Sequence, residues 1–194
     1  MGVSRQQAAE NRSAIVAAAE RLFRVRGVDA VGLTELMKEA GFTQGGFYNH
    51  FKSKDALVTE VMEKAMHDRA DSPNAGSLDA QVTSYLSAAH RDNVEAGCPL
   101  SGFAGDAPRL TDAARACYAH GLAAYLDRLE PMVATEDATP EQTRRDALAV
   151  FSQMVGALVL SRAIAGTDSA LADEILDAGR QTLAGRRAGP GTPA

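Results

Sequence analysis

The sequence predicts an all-α protein, with a small N-terminal helix-turn-helix unit and a larger C-terminal helical body. Three observations predict it. Apolar residues recur at helical spacing in segment after segment, and no stretch alternates as a half-buried strand does. Glycine and proline fall where those helical patterns stop and start. One stretch, Leu33 to Leu57, compresses a helix, a tight turn, a two-turn helix and the start of a third into 25 residues.

Taken in order, the first eight residues are polar and predict disorder. A helix is expected from about Ala9 to Arg26, with Ile15, Ala18, Ala19, Leu22 and Phe23 as its apolar stripe and Gly27 as its stop. Leu33, Leu36, Met37 and Ala40 share one face of the next helix. Gly41 ends it, because glycine accepts the left-handed backbone of a helix stop. Thr43 is the expected N-cap of a helix from Gln44 to about His50. Phe47 and Phe51 would then face inward, and Gln44, Gly45, Asn49 and His50 outward. A polar second helix after a three-residue turn is the geometry that enters the DNA major groove. Ser53 is placed to cap a helix over Lys54 to Ala70, with Leu57, Val61, Met62 and Ala65 inward. The run from Asp71 to Gly76 reads as a loop.

The second half is also helical. One helix is expected from Leu78 to about Glu95, with Val82, Tyr85, Leu86 and Ala89 on one face. Pro99 suits the first turn of a short helix whose N-cap is Cys98. Leu100, Phe103 and Ala104 align within it, and Pro108 closes it. A long helix from about Thr111 to Val133 carries Tyr118, Leu122, Tyr125, Leu126 and Leu129. From Pro140 to Ala165 the chain is apolar nearly all round, which requires burial on more than one side. A final helix, Asp168 to Leu183, turns Leu171, Ile175, Leu176 and Leu183 inward. A Gly-, Pro- and Arg-rich tail from residue 185 predicts disorder.

The net charge of −5 is unevenly spread: residues 1–54 carry +3 and residues 55–194 carry −8. A basic head on an acidic body suits local binding of a polyanion. Two cysteines make no disulfide framework, and a reducing cytoplasm is the expected location. No run of eighteen apolar residues occurs, so no membrane partner is expected. The histidines at 50, 67, 90 and 120 have no metal spacing, so neither metal nor cofactor is expected.

Ala40-Gly41, Thr43-x-Gly45, Tyr48-x-His50-Phe51 and Ser53-Lys54 together resemble the DNA-binding signature of TetR-type transcriptional repressors. Asn11-Arg12 and Ala19-x-x-Leu22-Phe23-x-x-x-Gly27 resemble that family's first helix. Gly32 and Gly46 depart from the common pattern, since Ser or Thr usually caps at the former and Thr, Ser or Ala stands at the latter. Glycines at 45 and 46 in so short a helix each cost roughly 1 kcal/mol relative to alanine.

The resemblance implies a non-enzymatic, ligand-responsive repressor. Residues 1–52 would bind DNA, residues 53–184 would bind ligand and dimerise, and residues 185–194 would be tail. Its partners would be a palindromic double-stranded operator, a small-molecule effector and a second copy of the chain, with the last two helices forming the dimer interface. Candidate DNA contacts are Thr34, Thr43, Gln44, Gly45, Tyr48, Asn49, His50 and Lys54. Candidate effector or sensor residues are Cys98, Phe103, Tyr118, Tyr125 and Phe151, whose alternative role is plain core packing. A thiol at a helix N-terminus gains thiolate character. Cys98 therefore also admits a second reading, a thiol-dependent enzyme or electrophile-handling protein.

Overall fold

The computed structural model describes residues 4–71 and 76–185. Every regular element among them is helical. The chain divides into two compact units, Met1–Asp71 with Val94–Leu122, and Ser72–Asn93 with Ala123–Ala194.

In the first unit, α1 spans Arg5–Arg26. It begins well before the expected Ala9, because the Ser4 hydroxyl accepts from the Gln7 amide and Gln7 then bonds Asn11 one turn on. Only residues 1–3 of the expected disordered start lie outside the described residues. Ile15, Ala18, Ala19 and Phe23 are buried, and Gly27 stops the helix at a φ of 82°. Helix α2, Leu33–Glu39, buries Leu36 and Met37 and leaves Leu33 and Ala40 half-buried. Gly41, at φ 83°, turns the chain.

The segment after the turn corrects the sequence reading. Gln44–Asn49 is a 3₁₀ helix, and the Thr43 side chain makes no cap bond. Its bonds are of the i to i+3 kind, Gly46 N–H to Thr43 C=O and His50 N–H to Phe47 C=O. Two glycines and an uncapped start leave little to favour a full α-helical turn. Phe47 and Phe51 are buried and stacked, with ring centroids 5.6 Å apart. Helix α3, Lys54–Asp71, is capped by Ser53 as expected, and buries Leu57, Val61, Met62 and Ala65. Residues 72–75, most of the expected loop, lie outside the described residues.

The same unit takes in α6, Pro99–Gly102, with Cys98 at its N-cap, then a 3₁₀ turn at Ala107–Arg109 and the first half of α7, Asp112–Val133. Leu100 and Phe103 are buried in it, while Ala104 is only half-buried.

In the second unit the expected helix from Leu78 breaks into α4, Leu78–Tyr85, and α5, Ala88–Asp92. Ser87 sits at the break. Its hydroxyl donates to the Ser84 carbonyl and accepts from the His90 amide, which offers the backbone an alternative to continuing the helix. Val82, Tyr85 and Leu86 are buried, but Ala89 on the re-started helix is exposed. Helix α8, Pro140–Ile164, opens with a reciprocal capping box between Thr139 and Gln142. Helix α9, Ser169–Gly185, packs along it, and the Ser161 hydroxyl donates to the Ala172 carbonyl inside the contact. Gly185 is still helical, and the rest of the expected tail lies outside the described residues.

The all-round apolar character of α8 resolves into two faces. Ala147, Val150, Phe151, Met154 and Leu158 are buried, whereas Leu148, Val159 and Leu160 are exposed. Leu171 on α9, expected inward, is 44% exposed. Helix α8 is long and apolar enough by composition to cross a membrane, a test that the core helix of a soluble protein also passes.

Candidate nucleic-acid interface

The outer face of the 3₁₀ helix is polar and open. Thr43, Gln44, Gly45 and Asn49 are exposed, and Tyr48 is 68% exposed. The Tyr48 ring stands edge-on to buried Phe47 at 5.3 Å, so an inward aromatic fixes an outward one. The Thr34 hydroxyl donates to Gln44 Oε1 at 2.8 Å, which ties α2 to the first residue of the recognition segment. A Cβ added at Gly45 would meet no atom within 4 Å. The protein itself therefore does not demand this glycine, and the space in front of its backbone is open to a ligand.

The far end of the segment is fastened by Arg12 of α1. Its guanidinium donates to the His50 carbonyl and forms a two-pronged ion pair with Glu60 of α3, the Nε–Oε1 arm measuring 2.9 Å. It also lies 4.0 Å over the Phe51 ring. A planar fork satisfies all these partners together, which a lysine could not. The His50 ring is half-buried and tilted against Phe42, with centroids 6.5 Å apart.

Lys54 is half-buried and engaged by the protein. Its ammonium donates to the Val28 carbonyl at 2.6 Å and sits 5.8 Å from the Phe23 ring. It braces α3 against the end of α1. Most other cations of the head are also engaged: Arg21 pairs with Glu39, Arg24 with Glu20 and Arg26 with Glu35. Lys38 and Lys52, just before and just after the turn and 3₁₀ helix, are exposed and have no ion pair among the described residues. These two lysines were not singled out from sequence, and Arg12 was noted only within the first-helix pattern, not as an anchor. A Lys on each side of the turn and the short polar helix is a signal that was there to read. The Arg12–Glu60 pair spans 48 positions and leaves no local pattern.

The candidate effector residues divide between the two units. Cys98, Phe103 and Tyr118 belong to the first, Tyr125 and Phe151 to the second. Phe103 is fully buried and Cys98 is buried at the cap of a four-residue helix. A single turn sums few peptide dipoles, so the thiolate argument for Cys98 loses most of its force. The Tyr118 hydroxyl donates to the Leu100 carbonyl at 2.6 Å, and burial, with a smaller contribution from Cys98, pushes the phenol up to about 12. Cys117 is half-buried 3.9 Å from Glu63, and burial and that carboxylate push its thiol up. In the second unit the Tyr125 and Phe151 rings lie 4.3 Å apart, and Gln81 Nε2 donates to the Tyr125 hydroxyl at 3.1 Å. No group of three metal-ligating side chains occurs among the described residues.

A sequence profile described as "Bacterial regulatory proteins, tetR family" matches residues 15–61, the stretch that contains most of this geometry. The chain is 43% identical over 60 residues to the HTH-type transcriptional regulator AcrR of Shigella flexneri, covering 31% of this chain and 28% of that protein. It is 40% identical over 62 residues to the HTH-type transcriptional repressor BepR of Brucella suis, covering 32% and 30%. The matched stretch thus spans less than a third of these relatives' length. A TetR transcriptional regulator of Chloroflexus aurantiacus superposes with a TM-score of 0.75 at 20% identity, over 95% of this chain and 97% of that one.

Proposed function

We propose, from the match of residues 15–61 to the tetR-family profile, that this chain is a TetR-type, ligand-responsive repressor of transcription. Residues 1–52 read double-stranded operator DNA. Residues 53–184 bind a small molecule and join two copies of the chain. The observation that carries this reading is the exposed Gln44–Asn49 face, anchored by Thr34 and Arg12 and flanked by the unpaired Lys38 and Lys52. Amide and hydroxyl groups on such a face hydrogen-bond base edges, and flanking lysines neutralise phosphates. Gln44, Asn49 and Tyr48 are the base and sugar-phosphate contacts, with Thr43, Gly45 and His50 beside them. Lys38 and Lys52 take the phosphate role first expected of Lys54.

The exposed apolar face of α8 and α9, bearing Leu148, Val159, Leu160 and Leu171, supports the dimer, because a monomer gains nothing by leaving it in water. Two heads on a two-fold axis read a palindromic site. An effector lowers operator affinity only if it binds the released state more tightly than the DNA-competent one. Operator binding places this work in the cytoplasm. Of the two readings, the regulator is supported by the similarity to the regulators AcrR and BepR, and the Cys98 thiol is buried.

The test is selection of duplexes from a random library by the full-length chain, followed by anisotropy titration of the winner. Tight binding to a palindrome, steeply weakened by salt, supports the reading. Recovery of no preferred sequence overturns it.

A further inference from the structure

The Arg24 side chain is only 6% exposed. Its Nη1 donates to the Gly97 carbonyl at 2.6 Å and to the Glu95 carbonyl at 3.3 Å. Its Nη2 pairs with Glu20, itself 14% exposed, and Lys64 of α3 reaches the other oxygen of Glu20 at 3.3 Å. The guanidinium lies 5.7 Å from the Phe103 ring, and the Arg24 stem packs on Gly102. The turn that ends α1 is held a second time at Val28. Its amide donates to Asp106 at 3.3 Å, while its carbonyl accepts from Lys54 at the start of α3. Residues 95–106 are therefore fastened to the end of α1 and, through Val28 and Lys54, to the start of α3. Arg24 Nε is buried without a hydrogen-bond partner. A buried ion pair with an unsatisfied donor is a poor device for stability, and the better-attested use of such groups is to select one arrangement over another.

We propose that Arg24 is a positioning residue that couples operator binding to closure of the Glu95–Phe103 segment against α1. The proposal rests on the DNA-binding reading above. While the fork holds Gly97 and Glu95, α1 and the Val28 turn are held in the arrangement that presents Gln44–Asn49. Opening of the segment releases Arg24 and, with it, the end of α1. Coupling of this kind is reciprocal, so DNA must also hold the segment closed.

Cys98, 7% exposed inside the segment, reports closure, since a buried thiol reacts only when its surroundings open. The experiment is performed on full-length Cys117→Ser protein, with 4,4′-dithiodipyridine as reagent and the library-selected duplex as ligand. Duplex binding is first confirmed by anisotropy. With Arg24 present, saturating duplex is expected to slow Cys98 labelling at least about fivefold, the lower end of ordinary coupling. With Arg24→Met, labelling without DNA should speed up and the duplex should change it by less than about twofold, well below that range. Arg24→Lys keeps the charge but loses the fork, and should restore only part of the protection. If Arg24→Met fails to fold by circular dichroism, Asp106→Asn replaces it with the same expectation. Equal protection in the parent and the variant, or none in a parent that binds duplex, overturns the proposal and leaves the DNA reading intact. A parent that binds no duplex removes both.

Discussion

The recognition segment and the α8–α9 hairpin are ordered in opposite ways. Residues 33–50 form two short helices, neither with a side-chain cap, and the second is a glycine-bearing 3₁₀ helix. Their geometry comes from inward aromatics, from the Thr34–Gln44 bond between the two helices, and from Arg12 reaching in from α1. Helix α8 is 25 residues long, boxed at its start by Thr139 and Gln142, and packed against α9 along an apolar face. What each leaves in water also differs. The first exposes amides, a phenol and Lys38, with Lys52 just beyond it, and the second exposes leucine and valine. The outward chemistry names the missing partner in each case: a polyanion with hydrogen-bonding edges for one, an apolar surface like its own for the other. A marginal helix suits a partner that supplies charge and hydrogen bonds on arrival. A rigid one suits a permanent partner.

The comparison is broken most severely by charging the apolar face. Leu160, 60% exposed, and Leu148 carry it. Leu148→Glu with Leu160→Glu should turn a dimer into a folded monomer by sedimentation velocity. It should also weaken binding to a palindrome by about 100-fold, the low end of what linking two half-site contacts contributes. A double variant that stays dimeric would place the interface elsewhere.

Next in size is Arg12→Ala. It removes charged hydrogen bonds to the His50 carbonyl and Glu60, worth about 1.5–3 kcal/mol each where fully formed, and less here because Arg12 is partly exposed. Operator affinity should fall about tenfold or more, on the same scale, and Arg12→Lys should recover little of it. Measured affinity equal to the parent's would mean that the segment holds its shape without α1.

Gln44→Ala sharpens the comparison by separating reading from holding. The loss should be about 1–3 kcal/mol for the preferred sequence and near zero for random DNA, with relaxed preference at one or two positions. Repeating the library selection with the variant checks it. Uniform loss over all sequences would mean that Gln44 contacts only the backbone.

The smallest effects distinguish two lysines two positions apart. Lys52→Ala should lower the slope of log affinity against log salt by about one unit. Lys54→Ala should leave that slope unchanged and lower the melting temperature instead, because its ammonium is spent on Val28. The reverse outcome would return the phosphate role to Lys54.

Periodicity and punctuation were enough to specify most of the helices. The glycine stops at 27 and 41, the Ser53 cap, and the Cys98-Pro99 start are local features, decided by residues within a turn of each other. The outward polar set from Thr43 to Asn49 was legible for the same reason, because burying Phe47 and Phe51 leaves those positions no other direction. Three things depended on distant residues and could not be read along the chain. Lys54 turns inward because the Val28 carbonyl happens to lie within its reach. Arg12 and Arg24 become anchors only once Glu60 and Gly97 are folded beside them. The helix from Leu78 breaks at Ser87, and Arg162 and Arg180, far along the chain, donate to the carbonyls of Leu86, His90 and Arg91 around the break. Helix periodicity and capping depend on neighbours in sequence, whereas the partner of a long cation depends on which carbonyls and carboxylates the fold brings within its reach.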